Sequence, residues 1–251
     1  MKYIIFDLGG VLLDIDLTYC MHQVQALGLD LDALAKIPIP QSAADEKPAV
    51  MGEGMVATGI MHLYQVGGVS TPDFIGAIQR HCRPGTTYEE ALKAWNTCCI
   101  GIPQRRLDKV LELRRRGYHT LMLSNTNDAH WQDIKARCFG ASNRAESDGT
   151  GVGGAYASTE RLAVEGYFDR VFLSQEMHLA KPNDAIFEQV LKETGAKAED
   201  CLFIDDSTPN VEAAAKLGFN TLHVEVSKTE NGQVVALPSV DWMDAIEEYL
   251  R

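Results

Sequence analysis

The sequence predicts an α/β protein: a doubly wound parallel sheet with helices on both faces, interrupted by one inserted all-helical domain. Three observations predict this. Short β-branched and aromatic runs recur, each followed by turn residues and then a helical pattern, as in a wound parallel sheet. The gap between the first two runs is too long for a simple crossover and reads as four or five helices with no strand. The chain, 251 residues long, has room for a full core plus a smaller accessory domain, but not for two large domains.

The strands are expected at 3–6, 119–123, 170–173, 201–204 and 221–226. Between them, Leu107, Val110 and Leu111 form an amphipathic pattern that ends at Gly117, and residues 185–194 form another that ends at Gly195. Helices are also expected over 211–217, before Gly218, and over 242–250. Within the insert, Ser70-Thr71-Pro72-Asp73 ahead of Phe74, Ile75 and Ile78 looks like a capped helix start. Residues 37–48 carry prolines and polar residues and read as a loop.

Residues 149–154 match the G-x-G-x-x-G dinucleotide pattern. Such a loop must follow a strand and open a helix, whereas this one follows a polar run. Residues 142–158 therefore read as a surface insertion. The basic run Arg114-Arg115-Arg116 ends a helix, where cations complement the dipole.

Composition narrows the partners. Lys and Arg number 23 against 35 Asp and Glu, giving 23 − 35 = −12. That balance argues against a nucleic-acid backbone or an anionic membrane as partner, but a small anionic substrate remains open because a metal ion reverses the field locally. The apolar N-terminal run is too short for a signal peptide and no stretch approaches a membrane span, so a cytoplasmic location is expected. The six cysteines form no C-x-x-C pair, which points to reduced thiols rather than zinc ligands or disulfides.

The chemistry gathers at strand ends. The first strand runs into Asp7-Leu8-Gly9-Gly10, and a carboxylate there sits where open α/β sheets bind ligands. Gly9 and Gly10 let backbone amides and a carbonyl approach a ligand closely, which places Gly10 with the phosphate-binding groups. The second strand leads into Ser124-Asn125-Thr126-Asn127; Ala180-Lys181-Pro182-Asn183 follows the third; the fourth leads into Asp205-Asp206-Ser207, with Asn210 close behind. Proline in the third motif is expected to set up the next helix start.

Those groups suit phosphoryl transfer. Asp7 and Asp205 would hold Mg²⁺, which prefers one or two carboxylates plus water and substrate phosphate. Ser124, Asn125 and Lys181 would neutralise the non-bridging oxygens, and Asp7 would be the in-line nucleophile.

In order and spacing, the four motifs resemble those of the haloacid dehalogenase-like hydrolase superfamily. The resemblance assigns residues 1–16 and 103–251 to a Rossmann-like catalytic core and 17–102 to a helical cap domain. Trp95-Asn96 and Asn125-Thr126-Asn127-x-x-His130 further resemble the sugar-phosphatase branch that includes α-D-glucose-1-phosphate phosphatases. It implies a Mg²⁺-dependent phosphatase acting on a small phosphorylated metabolite through an aspartyl-phosphate on Asp7. The Gly9 carbonyl would be a second metal ligand, Asp205 would complete the set, and Asp206 would assist directly or through water. Ser124 and Lys181 would bind the phosphoryl group, and Lys181 would also hold Asp7 by charge.

One position departs from the pattern. Many phosphatases of this superfamily carry an acid/base Asp two residues after the nucleophile, where this chain has Gly9; such a group contributes about 10²–10⁴-fold in rate. Three explanations are open: a good leaving group, a substitute acid among Asp14, Asp16, His22 and His130, or weak catalysis. Glu53, between two glycines, is a further candidate for reaching substrate. The alternative readings are a silent metal-binding scaffold, suggested by Gly9, and a metal-free 2-haloacid dehalogenase, against which the Asp205-Asp206 pair argues.

Overall fold

A computed structural model describes residues 1–29, 50–51, 55–56, 59–140, 161–227, 235–238 and 242–250. The expected loop at 37–48, Glu53 and the glycine-rich stretch 142–158 lie outside the described residues.

In chain order the elements are β1 (Tyr3–Phe6), β2 (Asp14–Asp16), α1 (Leu17–Ala26), β3 (Val50–Met51), β4 (Met55–Val56), α2 (Gly59–Gln65), α3 (Thr71–Arg80), α4 (Tyr88–Asn96) and β5 (Cys99–Gly101). There follow α5 (Gln104–Arg115), β6 (His119–Ser124), α6 (Asp128–Cys138), α7 (Val164–Tyr167), β7 (Arg170–Leu173), α8 (Ser174–Met177) and α9 (Asp184–Thr194). The last are β8 (Cys201–Asp205), α10 (Thr208–Lys216), β9 (Asn220–His223), β10 (Val226–Ser227), β11 (Val235–Pro238) and α11 (Trp242–Tyr249).

Five strands form a wholly parallel sheet in the order β7-β6-β1-β8-β9. The central strands β1, β6 and β8 are largely apolar and buried because both faces are covered, whereas the edge strand β9 is polar and part-exposed. Ile4, Phe6, Met122, Leu202 and Ile204 point to one face, with Leu107, Val110 and Leu113 of α5, Ile134 of α6 and Ile246 of α11. Ile5, Leu121, Leu123 and Phe203 point to the other, against Ile186, Phe187 and Val190 of α9 and Ala213 and Ala214 of α10. From β1 the chain winds outward through β6 and β7, then returns to the opposite side of β1 with β8 and β9. The strand order therefore reverses at β1, and its carboxyl end is where such sheets bind ligands.

The expectation of no strand within 17–102 is overturned. Val50–Met51 pairs with Met55–Val56, and Cys99–Gly101 pairs antiparallel with Asp14–Asp16. Strands of two or three residues are too short to show a period of two, and Asp14-Ile15-Asp16 lacks the apolar character that marks a core strand. β2 and β5 join β11 and β10 in a second sheet. The run expected as one strand over 221–226 is divided between the two sheets, as β9 and β10.

The expected helix ends largely hold. Ser70 caps α3 through Asp73 N, and α9 ends at Gly195 with φ 69°. Asn183 is the cap of α9, and Pro182 immediately precedes it. All six cysteines are free thiols. Two residues of the basic run are paired by their neighbours: Arg114 with Asp169, and Arg116 with Glu112 and Glu247. Among the described residues no helix is long and apolar enough to cross a membrane.

Candidate active site

The sheet brings Asp7, Ser124 and Asp205 to one edge, because β6 and β8 flank β1 in register: Phe6 lies beside Met122 on one side and Ile204 on the other. The loop after β1 is self-contained. Leu12 N and Leu13 N both donate to Leu8 O (2.9 and 2.7 Å), and Gly10 N donates to Leu13 O (3.0 Å). Gly10 takes φ +74°, and a Cβ there would lie 2.5 Å from Asp206 Cγ, so glycine is required by both backbone and contact. Gly10→Ala is expected to displace the Asp206 carboxylate and lower the affinity for Mg²⁺ at least about tenfold, as measured by calorimetric titration; an unchanged affinity would show that Asp206 does not serve the cation.

Lys181 is the centre of the cluster and only 1% exposed. Its ammonium donates to Asp205 Oδ2 (2.6 Å) and Leu123 O (3.0 Å). It also lies 2.8 Å from Asp7 Oδ1, as an ion pair. Lys181 is placed by Asn125. The carboxamide of Asn125 accepts from Lys181 N (2.9 Å) and donates to Lys181 O (2.8 Å), bracketing its main chain. The Asn125 side chain, expected to neutralise phosphate oxygens, thus also holds the main chain of Lys181. Ser124 is buried at the end of β6.

Asp205 is held from three sides. Its Oδ1 accepts from Ser207 N (2.8 Å), and Asn210 Nδ2 reaches both its oxygens (3.1 and 3.2 Å), while Oδ2 takes Lys181. Asn210 carries no motif role by sequence, although its place in the first turn of α10, five residues after Asp205, is a usable signal. Among the described residues Asp206 Oδ2 is buried with no hydrogen-bond partner.

Burial dominates the electrostatics. It pushes the Asp7 carboxyl up to about 6, opposed by Lys181 and reinforced by Asp205. Burial likewise raises Asp206 to about 8, with Asp205 and Asp7 adding repulsion. Desolvation would lower the Lys181 ammonium, but Asp205 and Asp7 outweigh it and hold the group above its ordinary value. Three buried acids share one cation, so a second positive charge is favoured there.

A divalent metal fits. Asp7, Asp205 and Asp206 each offer an oxygen within 4.8 Å of the others, an all-oxygen set that suits Mg²⁺. The unsatisfied Asp206 Oδ2 is the atom a cation would complete, since buried carboxylate oxygens are otherwise bonded.

The four substitute acids are held elsewhere. Asp14 pairs with Arg106 (2.7 Å), Asp16 caps α1 through Tyr19 N (2.7 Å), and His22 is exposed on α1. His130 stacks on Trp95 (5.2 Å between ring centres). Its Nε2 donates to Trp95 O (3.1 Å), its Nδ1 accepts from Asn127 Nδ2 (3.1 Å), and burial lowers its pKa. Gly9 itself is not forced by packing: a Cβ there would meet only Ile15, at 3.6 Å.

With this geometry in place, comparison with known proteins places the chain. The D-ribitol-5-phosphate phosphatase of Bacteroides thetaiotaomicron is 28% identical over 225 residues, covering 90% of this chain and 92% of the relative. The structure of an HAD family enzyme from the same organism, in complex with magnesium and inorganic phosphate, superposes with a TM-score of 0.70 at 27% identity, covering 92% of this chain and 97% of that one. A predicted HAD-like family hydrolase from Porphyromonas gingivalis gives a TM-score of 0.69 at 25% identity, covering 100% and 98%. Residues 1–218 match the haloacid dehalogenase-like hydrolase family, and the chain belongs to it.

Proposed function

We propose that this chain is a Mg²⁺-dependent phosphatase that hydrolyses a small phosphorylated metabolite, a sugar or polyol phosphate, through an aspartyl-phosphate on Asp7. The observation that carries the reading is the buried constellation of Asp7, Lys181, Asp205 and Asp206, with Asp206 Oδ2 left unsatisfied. The resemblance of the whole chain to a polyol-phosphate phosphatase supports the substrate class.

Asp7 attacks phosphorus in line; the bond to the ester oxygen breaks as the Asp7–phosphorus bond forms, and water later cleaves the acyl phosphate to free Asp7 and phosphate. Mg²⁺, when held by Asp7, Asp205, Asp206 and the Gly9 carbonyl, supplies charge neutralisation at the phosphoryl oxygens. Lys181 keeps Asp7 ionised and oriented, and Ser124 with the Gly10 backbone binds the phosphoryl group. Gly9 gives no proton to the departing oxygen, which either leaves as a stabilised anion or takes its proton from water.

The helical cap domain over residues 17–102 selects substrate and excludes water. Three bonds supporting this tie it to segments that follow β6 and β7: Ser174 Oγ to Gln65 O (2.7 Å), Ala129 N to Tyr64 Oη (3.0 Å) and His130 Nε2 to Trp95 O (3.1 Å). Both segments lie on the edge that carries Asp7.

Phosphate release from p-nitrophenyl phosphate and from a panel of sugar and polyol phosphates tests the reading. Turnover is expected with Mg²⁺, is expected to disappear in EDTA, and should fall at least about 10⁴-fold in Asp7→Asn. Gly9 favours a second reading, a silent Mg²⁺-binding scaffold. Cation binding without release from any substrate would establish that reading and remove the first.

A further inference from the structure

Arg106 is buried in the first turn of α5, where both desolvation and the helix dipole oppose a cation. Its Nη1 donates to Leu12 O (2.8 Å) and to Asp14 Oδ1 (2.7 Å), and the side chains of the ion pair are 3% and 5% exposed. No sequence motif announces this contact, which joins residues 92 apart.

What Arg106 holds is the nucleophile loop. The bonds from Leu12 N and Leu13 N to Leu8 O, and from Gly10 N to Leu13 O, make residues 8–13 one closed unit. That unit carries Gly9, and it carries Gly10 in contact with Asp206. The Leu12 carbonyl is the handle by which Arg106 grips it. Asp14, the other acceptor, opens β2, which pairs with β5, and β5 ends five residues before Arg106. One guanidinium thus fixes the loop beside the two strands through which the chain leaves the parallel sheet and returns.

Resting on the reading of a Mg²⁺-dependent phosphatase, we infer that Arg106 is a positioning residue. Through Leu12 O and Asp14 it sets the loop that carries Gly9 and presents Gly10 against Asp206, and so sets the geometry of the cation site. Arg→Lys is not conservative here, because one flexible ammonium does not reproduce the fixed fork that spans a carbonyl and a carboxylate.

The test compares wild type, Arg106→Lys and the double variant Arg106→Met with Asp14→Leu. The double variant replaces the buried pair by apolar groups of similar volume, a change that proteins often tolerate in stability, while Leu12 O loses its donor. For each variant, kcat, KM and the Mg²⁺ half-saturation are measured, together with Mg²⁺ binding by calorimetry, on protein shown to be folded by its melting transition. In both variants Mg²⁺ affinity is expected to fall at least about fivefold and kcat at least about tenfold, with KM changed less than about threefold. Wild-type Mg²⁺ affinity and kcat in either folded variant would overturn the assignment. If wild type binds Mg²⁺ but releases no phosphate, the phosphatase reading fails, and the calorimetric comparison still decides the role of Arg106.

Discussion

Replacing Lys181 by methionine should damage stability and catalysis together, and the stability loss should grow with pH. The methionine keeps the apolar stem and removes the one ammonium that faces Asp7, Asp205 and the Leu123 carbonyl. Breaking a buried pair from one side leaves uncompensated charge and costs about 3–5 kcal/mol. The Asp7 carboxyl is already pushed up to about 6 by burial, with Lys181 as its leading opposing influence. Without Lys181 the folded-state value climbs further from the unfolded value of 3.8. The sign follows directly: a carboxyl raised in the folded state is most favourable below its unfolded pKa and loses stability as pH rises through its folded pKa.

The Lys181→Met deficit should therefore be small near pH 4 and largest above about pH 7. Urea titrations across that range would show it, and a deficit independent of pH would remove the charge argument. Turnover should fall at least about 10²-fold, because a fixed positive charge at the reacting phosphoryl group is lost. Wild-type turnover in the variant would remove Lys181 from the mechanism.

Removing Mg²⁺ should have the second large effect, again with a defined direction in pH. Asp7 and Asp206 are raised to about 6 and about 8. Both shifts are upward, so the metal-free fold retains protons that the unfolded chain has released. The contribution of these two groups to its stability is greatest below about pH 4 and is lost as pH climbs through about 6 and about 8. A cation on these oxygens displaces the protons and removes the penalty, so its apparent affinity rises over the same range.

The melting temperature in Mg²⁺ should thus exceed that in EDTA by a gap that widens from about pH 5 to about pH 8. At saturating metal the gap corresponds to about 3–4 kcal/mol. Paired thermal melts check it; a gap that stays constant or narrows would mean that these carboxylates do not hold the ion.

How much of this was legible depends on the kind of signal. Tyr3–Phe6 and Arg170–Leu173 are observed as expected, and 119–123 and 201–204 each extend by one residue. Such strands are buried on both faces, so their sequence is nearly uninterrupted apolar side chains. The carboxyl-end residues were legible for the same reason: once the strands are known, the next polar residues lie along one edge. β2 and β5 were missed because a strand of three residues has no period to detect. The contact of Asn125 with Lys181 was not legible, since an amide beside a phosphate-binding motif gives no sign that it will bracket a neighbouring main chain.

Arg106 shows the limit most clearly. It falls on the same helical face as Val110 and Leu113, a core position by spacing, and carries a charge there. Sequence spacing registers that conflict but not what resolves it, because Leu12 O and Asp14 are far away along the chain.

The sequence by itself determined the wound parallel sheet, the edge to which the strand-end polar residues come and the residue types that meet there, because each follows from local periodicity and strand-end chemistry. The tertiary structure alone decided that Asp206 Oδ2 has no hydrogen-bond partner among the described residues, that Asn125 brackets Lys181 and Arg106 joins Leu12 to Asp14, and how far burial moves Asp7 and Asp206. Those properties depend on distances across the fold and on the exclusion of water, and neither is encoded in the neighbourhood of any one residue.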